Sequence, residues 1–104
     1  MEIVLQYFEG CPNWKIAHER LVRLCAERPD ISLSTQLVES DAQAQRLGFH
    51  GSPSVLIDGF DRFSEASSAV GLSCRRYMTP EGIAGAPTME QLRSAAAAAE
   101  STPR

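Results

Sequence analysis

A short apolar run near the N-terminus gives way at once to a helix-forming segment, and this junction constrains the fold more than any other feature. Residues 2–8, Glu-Ile-Val-Leu-Gln-Tyr-Phe, are rich in β-branched and aromatic side chains, which predicts a buried strand. Pro12 suits the first position of a helix, because the N–H group that proline lacks has no partner there. We therefore expect a helix from Pro12 to about Arg28, with Cys11 as its N-cap.

The position of Cys11 at this junction is typical of a reactive thiol. Backbone N–H groups at a helix N-terminus stabilise a thiolate over a thiol, so we expect the pKa of Cys11 to lie below the ~8.5 of a free cysteine. The alternative is a small capping or packing residue. Cys25 lies on the apolar stripe of the same helix, roughly 21 Å further along the axis, and is expected to be a core residue that cannot pair with Cys11.

The composition describes one domain and argues against several classes of partner. With 104 residues and 43% apolar content, the chain predicts a single domain over residues 1–100 and a flexible tail over residues 101–104. A net charge of −3 argues against binding to nucleic acid or to an anionic membrane. The Arg75-Arg76 pair is accordingly interpreted as surface charge.

Location and metal content are constrained by what the chain lacks. No segment reaches the ~20 apolar residues that cross a bilayer, and the N-terminus is unlike a signal peptide, so a cytoplasmic location is expected. The 3 cysteines and 2 histidines have no zinc-site spacing, which argues against a disulfide framework and a metal site. No motif indicates a cofactor.

The rest of the chain alternates strands with helices. The pattern predicts, after the first helix, a strand over 31–38, a helix over 41–47, a strand over 54–58, a connection over 60–71, a strand over 72–78 and a helix over 88–99. We expect residues 39–41 and Thr88 to cap the second and third helices. This order, β-α-β-α-β-β-α, begins with a parallel βαβ unit and ends with two strands close enough to pair in antiparallel.

Two motifs carry a resemblance to a known family. Residues 10–14, Gly-Cys-Pro-Asn-Trp, open the first helix, and residues 51–55, Gly-Ser-Pro-Ser-Val, open the third strand. Together with the element order, they resemble the thioredoxin-like superfamily, and the length is similar to that of its minimal, glutaredoxin-sized members. The resemblance implies a thioredoxin-like three-layer α/β fold with a mixed four-stranded sheet.

The resemblance also implies roles for individual residues. Cys11 takes the role of the catalytic nucleophile that attacks disulfides or other soft electrophiles, and Pro53 that of a cis-proline facing it. The backbone of Ser52 would offer main-chain hydrogen bonds to a bound thiol partner. Trp14 either walls the thiol site or packs on the loop before Pro53. Trp14, Ser52 and Pro53 are thus the candidate substrate-binding residues.

One position departs from the redox-active dithiol pattern of that superfamily. Trp14 stands three residues after Cys11, where the pattern has a second cysteine, so a monothiol route is expected: the Cys11 thiolate attacks, and an external thiol resolves the mixed disulfide. Cys74 is a possible second thiol if its Cα lies within ~7 Å of that of Cys11. The predicted strand order disfavours this, because it starts the fourth strand at the end remote from Cys11, where Cys74 is expected to be a core residue.

The expected function is that of a monothiol disulfide oxidoreductase, whose partner is a low-molecular-weight thiol or a protein disulfide. The first alternative is a non-catalytic binding module that uses the groove between Trp14 and Pro53. In the second alternative, Cys11 and Cys74 are two soft ligands that handle a thiophilic metal or organometal. The sequence leaves the oligomeric state open.

Overall fold

A mixed sheet of four strands organises the computed structural model of the chain, which describes residues 1–63 and 70–101. The elements are β1 (Glu2–Tyr7), α1 (Trp14–Glu27), β2 (Ser32–Leu37), α2 (Asp41–Leu47), β3 (Ser54–Ile57), β4 (Phe60–Asp61), β5 (Tyr77–Thr79), β6 (Gly82–Ala84) and α3 (Met89–Ser101). The strand order in the sheet is β2-β1-β3-β4. The predicted α/β class with a mixed four-stranded sheet is therefore confirmed.

The pairing in this sheet confirms the first half of the predicted topology and corrects the second. β1 pairs with β2 in parallel across the crossover helix α1, and β3 lies antiparallel on the other side of β1. The fourth strand is β4, which follows β3 directly after a turn at Asp58 and Gly59 and pairs with it in antiparallel. The predicted connection over 60–71 is wrong at Phe60–Asp61, where this tight turn returns the chain to the sheet, and its residues 64–69 lie outside the described residues. The predicted fourth sheet strand over 72–78 is wrong as well, because β4 takes that place in the sheet.

Local capping explains where α2 and α3 begin. The hydroxyl of Ser40 accepts a hydrogen bond of 3.1 Å from the backbone N–H of Gln43, and α2 ends at Gly48, whose φ is +64°. At α3, Thr88 and Gln91 each accept a hydrogen bond from the backbone N–H of the other, at 3.1 and 3.0 Å. Both predicted caps are confirmed.

Two apolar clusters hold the sheet and the helices together. Alternate residues of β1, Ile3 and Leu5, have no exposed surface and belong with residues of α1 and α3 to the larger cluster. The full buried membership of that cluster is Ile3, Leu5, Ala17, Leu21, Leu24, Ile31, Val55, Ile57, Ala86, Leu92, Ala95, Ala96 and Ala99. A smaller cluster joins Val38, Ala44 of α2 and Phe49. The short helix α2 thus packs in the smaller cluster and not in the larger one.

Along the chain, a hairpin that the sequence did not predict follows the four-stranded sheet and precedes α3. β5 and β6 pair in antiparallel as a separate two-stranded sheet, so the chain has the order β-α-β-α-β-β-β-β-α where β-α-β-α-β-β-α was expected. Of the predicted tail, Ser101 ends α3, and residues 102–104 lie outside the described residues. Within the described part of the chain, no helix is both long enough and apolar enough to cross a membrane.

Candidate active site

Cys11 and Cys74 form a disulfide, with a Cα–Cα distance of 5.8 Å. This pairing corrects the expectation that Cys74 starts a sheet strand at the end remote from Cys11. The reason is that residues 72–76 are not part of the main sheet: Cys74 instead forms an isolated parallel bridge with Ser52. The expectation that Cys74 lies out of disulfide reach of Cys11 was therefore wrong, and the site contains two cysteines.

Main-chain hydrogen bonds hold Cys74 beside the loop that precedes Pro53. The N–H of Ser52 donates to the carbonyl of Ser73 at 2.8 Å, and the N–H of Arg75 donates to the carbonyl of Ser52 at 2.9 Å. The approach is close at Gly51, where a Cβ atom would lie 2.9 Å from the Ser73 carbonyl oxygen and φ is +106°. Both backbone polar groups of Ser52 are thus used by the segment Ser73–Arg75.

A buried ion pair between Arg75 and Asp61 also holds the segment Ser73–Arg75 in place. The Arg75 guanidinium donates two hydrogen bonds to the Asp61 carboxylate, of 2.6 and 3.2 Å, and a third of 3.3 Å to the Ser54 hydroxyl. The Arg75 side chain is only 6% exposed, so the interpretation of this arginine as surface charge was wrong, whereas the neighbouring Arg76 is exposed. Because a buried guanidinium requires a partner, Asp61 of β4 determines where Arg75 lies.

Tyr77 makes a further contact with the loop that contains Pro53. Its hydroxyl donates to the carbonyl of Pro53, and its ring lies 4.8 Å from the Arg75 guanidinium carbon. Burial raises the pKa of the Tyr77 hydroxyl far above its usual range; the positive charge of Arg75 opposes this rise and the negative charge of Asp61 adds to it. Tyr77 therefore stays a hydrogen-bond donor at all physiological pH values.

Cys11 lies before α1 and not at its N-cap. Asn13 occupies the N-cap position in a helical conformation, and the Cys11 N–H donates to the Phe8 carbonyl at 3.3 Å, so the turn that closes β1 extends through Cys11. Cys11 has no exposed surface, and its sulfur lies 3.6 Å from the Ser52 carbonyl oxygen. In the reduced protein this oxygen is within reach as an acceptor for the thiol.

The candidate substrate-binding residues occupy different surroundings. The Ser52–Pro53 peptide bond is cis, as the motif predicted, and both residues are buried. Trp14 is half-buried; its ring stacks on Tyr7 with a centroid distance of 4.2 Å and packs against the larger cluster. Trp14 thus packs on the end of β1, which is the strand that leads into Cys11.

Elsewhere in the described part of the chain, the sulfur and polar groups form no metal centre. Cys25 is a free, half-buried cysteine, and burial raises the pKa of its thiol. Among the described residues, no group of three or more histidine, cysteine, aspartate or glutamate side chains could hold a metal ion. Two buried side-chain atoms, Nδ1 of His50 and Oγ of Ser52, have no hydrogen-bond partner among the described residues.

Three residues of the site were missed at the level of sequence, namely Asp61, Arg75 and Tyr77. Asp61 accepts a hydrogen bond of 3.0 Å from the N–H of Phe63, as aspartates in turns commonly do, but its ion pair with Arg75 is its larger role. The available signal was the position of Arg75, directly after a cysteine in a chain with a formal charge of −3.

Comparisons of the chain with protein-family models, with curated proteins and with solved structures find no match. The contacts around Cys11 and Cys74 are therefore the basis on which its function is inferred.

Proposed function

We propose that the protein is a thiol–disulfide oxidoreductase that works by reversible formation of the Cys11–Cys74 disulfide. The observation that carries this proposal is the Cα–Cα distance of 5.8 Å between the two cysteines, which falls in the range of natural disulfides. Cys74 thereby supplies the second cysteine, which the motif around Cys11 lacks because Trp14 stands in its place.

The surroundings of the pair support a functional disulfide over an incidental contact. Ser73 and Arg75, the neighbours of Cys74, are hydrogen-bonded to Ser52, and Arg75 is further held by Asp61. None of these contacts involves a sulfur atom. The second thiol is therefore expected to stay beside Cys11 after reduction, so that the disulfide can form again without a large rearrangement.

The fold supports the same proposal. The sheet order β2-β1-β3-β4, the parallel pairing of β1 with β2 and the cis bond before Pro53 are compatible with a thioredoxin-like fold. In that fold the junction of β1 and α1 carries the reactive cysteine, which corresponds to Cys11 here. On these grounds we propose a three-layer thioredoxin-like architecture for this chain.

The reaction balances with a thiol as the only co-reactant. A thiolate attacks one sulfur of the Cys11–Cys74 bond, which breaks and leaves the other sulfur as a thiolate; a second thiolate then displaces the protein from the mixed disulfide. Two thiols are oxidised to one disulfide, and the protein gains two electrons and two protons. In the cytoplasm, the location that the sequence predicts, a low-molecular-weight thiol would supply the reductant.

Equilibration of the protein in glutathione redox buffers tests the proposal. We expect Cys11 and Cys74 to be oxidised together with a mass loss of two hydrogens, and the protein to accelerate exchange between glutathione and a disulfide-containing peptide. The loss of two hydrogens should disappear in Cys11→Ser and in Cys74→Ser, and both effects should persist in Cys25→Ser. A protein that forms the disulfide but accelerates no exchange would refute the enzymatic proposal and favour the non-catalytic binding module.

A second candidate function uses the same pair in its reduced form. Two convergent thiolates bind soft cations, and no third ligand joins Cys11 and Cys74 among the described residues, which suits a metal of low coordination number. Mercuric ion or phenylmercury should then bind to the reduced protein with 1:1 stoichiometry and lose affinity when either cysteine is replaced by serine. Equal affinity of the two single variants and the wild-type protein would eliminate this candidate.

The binding module alone is less well supported. A partner peptide that bound in the manner the motif implies would need the N–H and carbonyl of Ser52. Both groups already have partners within the chain. Such a partner would first have to displace Ser73–Arg75, against the ion pair of Arg75.

A further inference from the structure

The two cysteines of the disulfide differ in their exposure to solvent. Cys11 has no exposed surface at all, whereas Cys74 is exposed. Exchange at a disulfide requires the incoming thiolate to reach the attacked sulfur, so access decides which of the two sulfurs reacts. The buried one, Cys11, is the one to which the sequence motif assigns the nucleophilic role.

We infer that Cys74 is the cysteine that exchanges with external thiols and disulfides, and that Cys11 is the buried resolving cysteine. This inference rests on the proposed function and reverses the roles expected from the motif. It adds Cys74 as the residue that touches the substrate, and it adds Arg75 as a positioning residue that keeps Cys74 above Cys11.

The shielding of Cys11 does not depend on the disulfide bond. Ser73–Arg75 lies on the Ser52 loop through two main-chain hydrogen bonds of 2.8 and 2.9 Å. Arg75 adds two hydrogen bonds to Asp61 and one to Ser54. Since all five contacts survive cleavage of the S–S bond, the segment is expected to cover Cys11 in the dithiol form as well.

The segment thus behaves as a peptide ligand built into the chain. Its Ser73 carbonyl and Arg75 N–H pair with the N–H and carbonyl of Ser52, and its cysteine is joined to Cys11. A polypeptide substrate in mixed disulfide with Cys11 would need the same two backbone groups. The substrate therefore meets the protein at Cys74, on the outer side of this segment.

Cys74 is the cysteine that reacts with the external sulfur in both reduction and oxidation of the protein. In reduction of the protein, a thiolate attacks Sγ of Cys74 from the solvent side, the S–S bond breaks, and Cys11 leaves as the thiolate. In oxidation, the Cys74 thiolate attacks a substrate disulfide RSSR and releases RS⁻. The Cys11 thiolate then attacks Sγ of Cys74, forms the internal disulfide and releases the second RS⁻.

Single-cysteine variants in a Cys25→Ser background test this order. The variant that retains Cys74 (Cys11→Ser) should form a mixed disulfide with oxidised glutathione roughly tenfold faster, or more, than the variant that retains Cys11 (Cys74→Ser). Adding Arg75→Met to the Cys74→Ser variant should accelerate modification of Cys11, because the covering segment loses its anchor. The matched control Arg76→Met, at an exposed arginine, should leave the Cys11 rate unchanged.

A measurement on the wild-type protein avoids the question of variant folding. Oxidised protein is mixed with reduced glutathione, quenched with acid, alkylated in denaturant and mapped by mass spectrometry; the glutathione should be found on Cys74 and the alkyl group on Cys11. Glutathione on Cys11, or faster reaction of the Cys11-only variant, overturns the inference while leaving the proposed function intact. Absence of any glutathione exchange refutes both.

Discussion

The carboxylate of Asp61 accepts two hydrogen bonds, of 2.6 and 3.2 Å, from the guanidinium of Arg75, the residue that directly follows the disulfide cysteine Cys74. A buried pair of this kind is weak support for stability by itself, because desolvation offsets much of the attraction. The effect of the Arg75–Asp61 pair here is to fix the position of the segment that contains Cys74. One end of the pair belongs to β4, and the other end carries the segment that covers Cys11.

Removal of Arg75 should therefore destabilise the protein strongly. Arg75→Met leaves the nearly buried Asp61 carboxylate without its partner, and we expect the free energy of unfolding to fall by about 3 kcal/mol. Urea unfolding of the oxidised protein measures this change. Arg76→Met is the matched control, because substitution of an exposed arginine is expected to change stability by no more than about 0.5 kcal/mol. Equal midpoints for the two variants would contradict an anchoring role for Arg75.

Substitution of Gly51 and of Gly59 distinguishes two effects of an added Cβ: steric contact with Ser73, and backbone strain from a positive φ. Both glycines have positive φ, +106° and +87°, but only at Gly51 would a Cβ meet another atom, the Ser73 carbonyl oxygen at 2.9 Å. We expect Gly59→Ala to cost about 1 kcal/mol and Gly51→Ala about 3 kcal/mol, because the second variant also pushes the segment outward. Thermal unfolding measures the costs. If both variants lose the same stability, the segment does not rest on Gly51 in solution.

Tyr77 should give the stability of the protein a dependence on alkaline pH. Burial raises the pKa of Tyr77 in the folded protein above its value of about 10 in the unfolded chain. At a pH between the two pKa values, the unfolded chain has released the Tyr77 proton and the folded protein retains it. Stability from this group is fully present below about pH 10 and falls above it, by about 1.4 kcal/mol per pH unit.

The variant Tyr77→Phe provides the control for this pH dependence. It should remove the alkaline loss of stability, measured as the free energy of unfolding between pH 9 and 11. At neutral pH it should cost about 1–2 kcal/mol, since the Pro53 carbonyl loses its buried donor. An alkaline slope that persists in Tyr77→Phe would assign the titration to other groups.

Reduction should lower stability through the unfolded chain. The disulfide joins residues separated by 63 positions, and closing a loop of that length constrains the unfolded ensemble by about 4 kcal/mol in the chain-entropy model. Urea unfolding with and without reductant should show a loss of this order, and Cys25→Ser should show the same loss because Cys25 is free. A difference that vanishes in wild-type protein would mean that the disulfide does not form.

The part of the fold that follows from local chemistry was predictable from the sequence. The strand before Cys11 and the Ser40 and Thr88 caps each depend on residues only a few positions apart, whereas the cis bond before Pro53 was expected from the resemblance. The place of Cys74 depends instead on Asp61 and Arg75, which meet only after the chain has turned through β4. A strand pattern over 72–78 contains no information about that ion pair, and the short β4 offers too few residues for periodicity to register.

The contacts of Ser73–Arg75 also determine what the chain does in the presence of its own copies. The segment reaches Ser52 from within one molecule, so its effective concentration is set by the tether and, for flexible connections, is on the order of millimolar. A second copy can offer the same segment only at its bulk concentration. In micromolar solution we therefore expect oxidation to yield closed monomers, with disulfide-linked exchanged dimers competing only where the protein concentration approaches the effective concentration of the tethered segment.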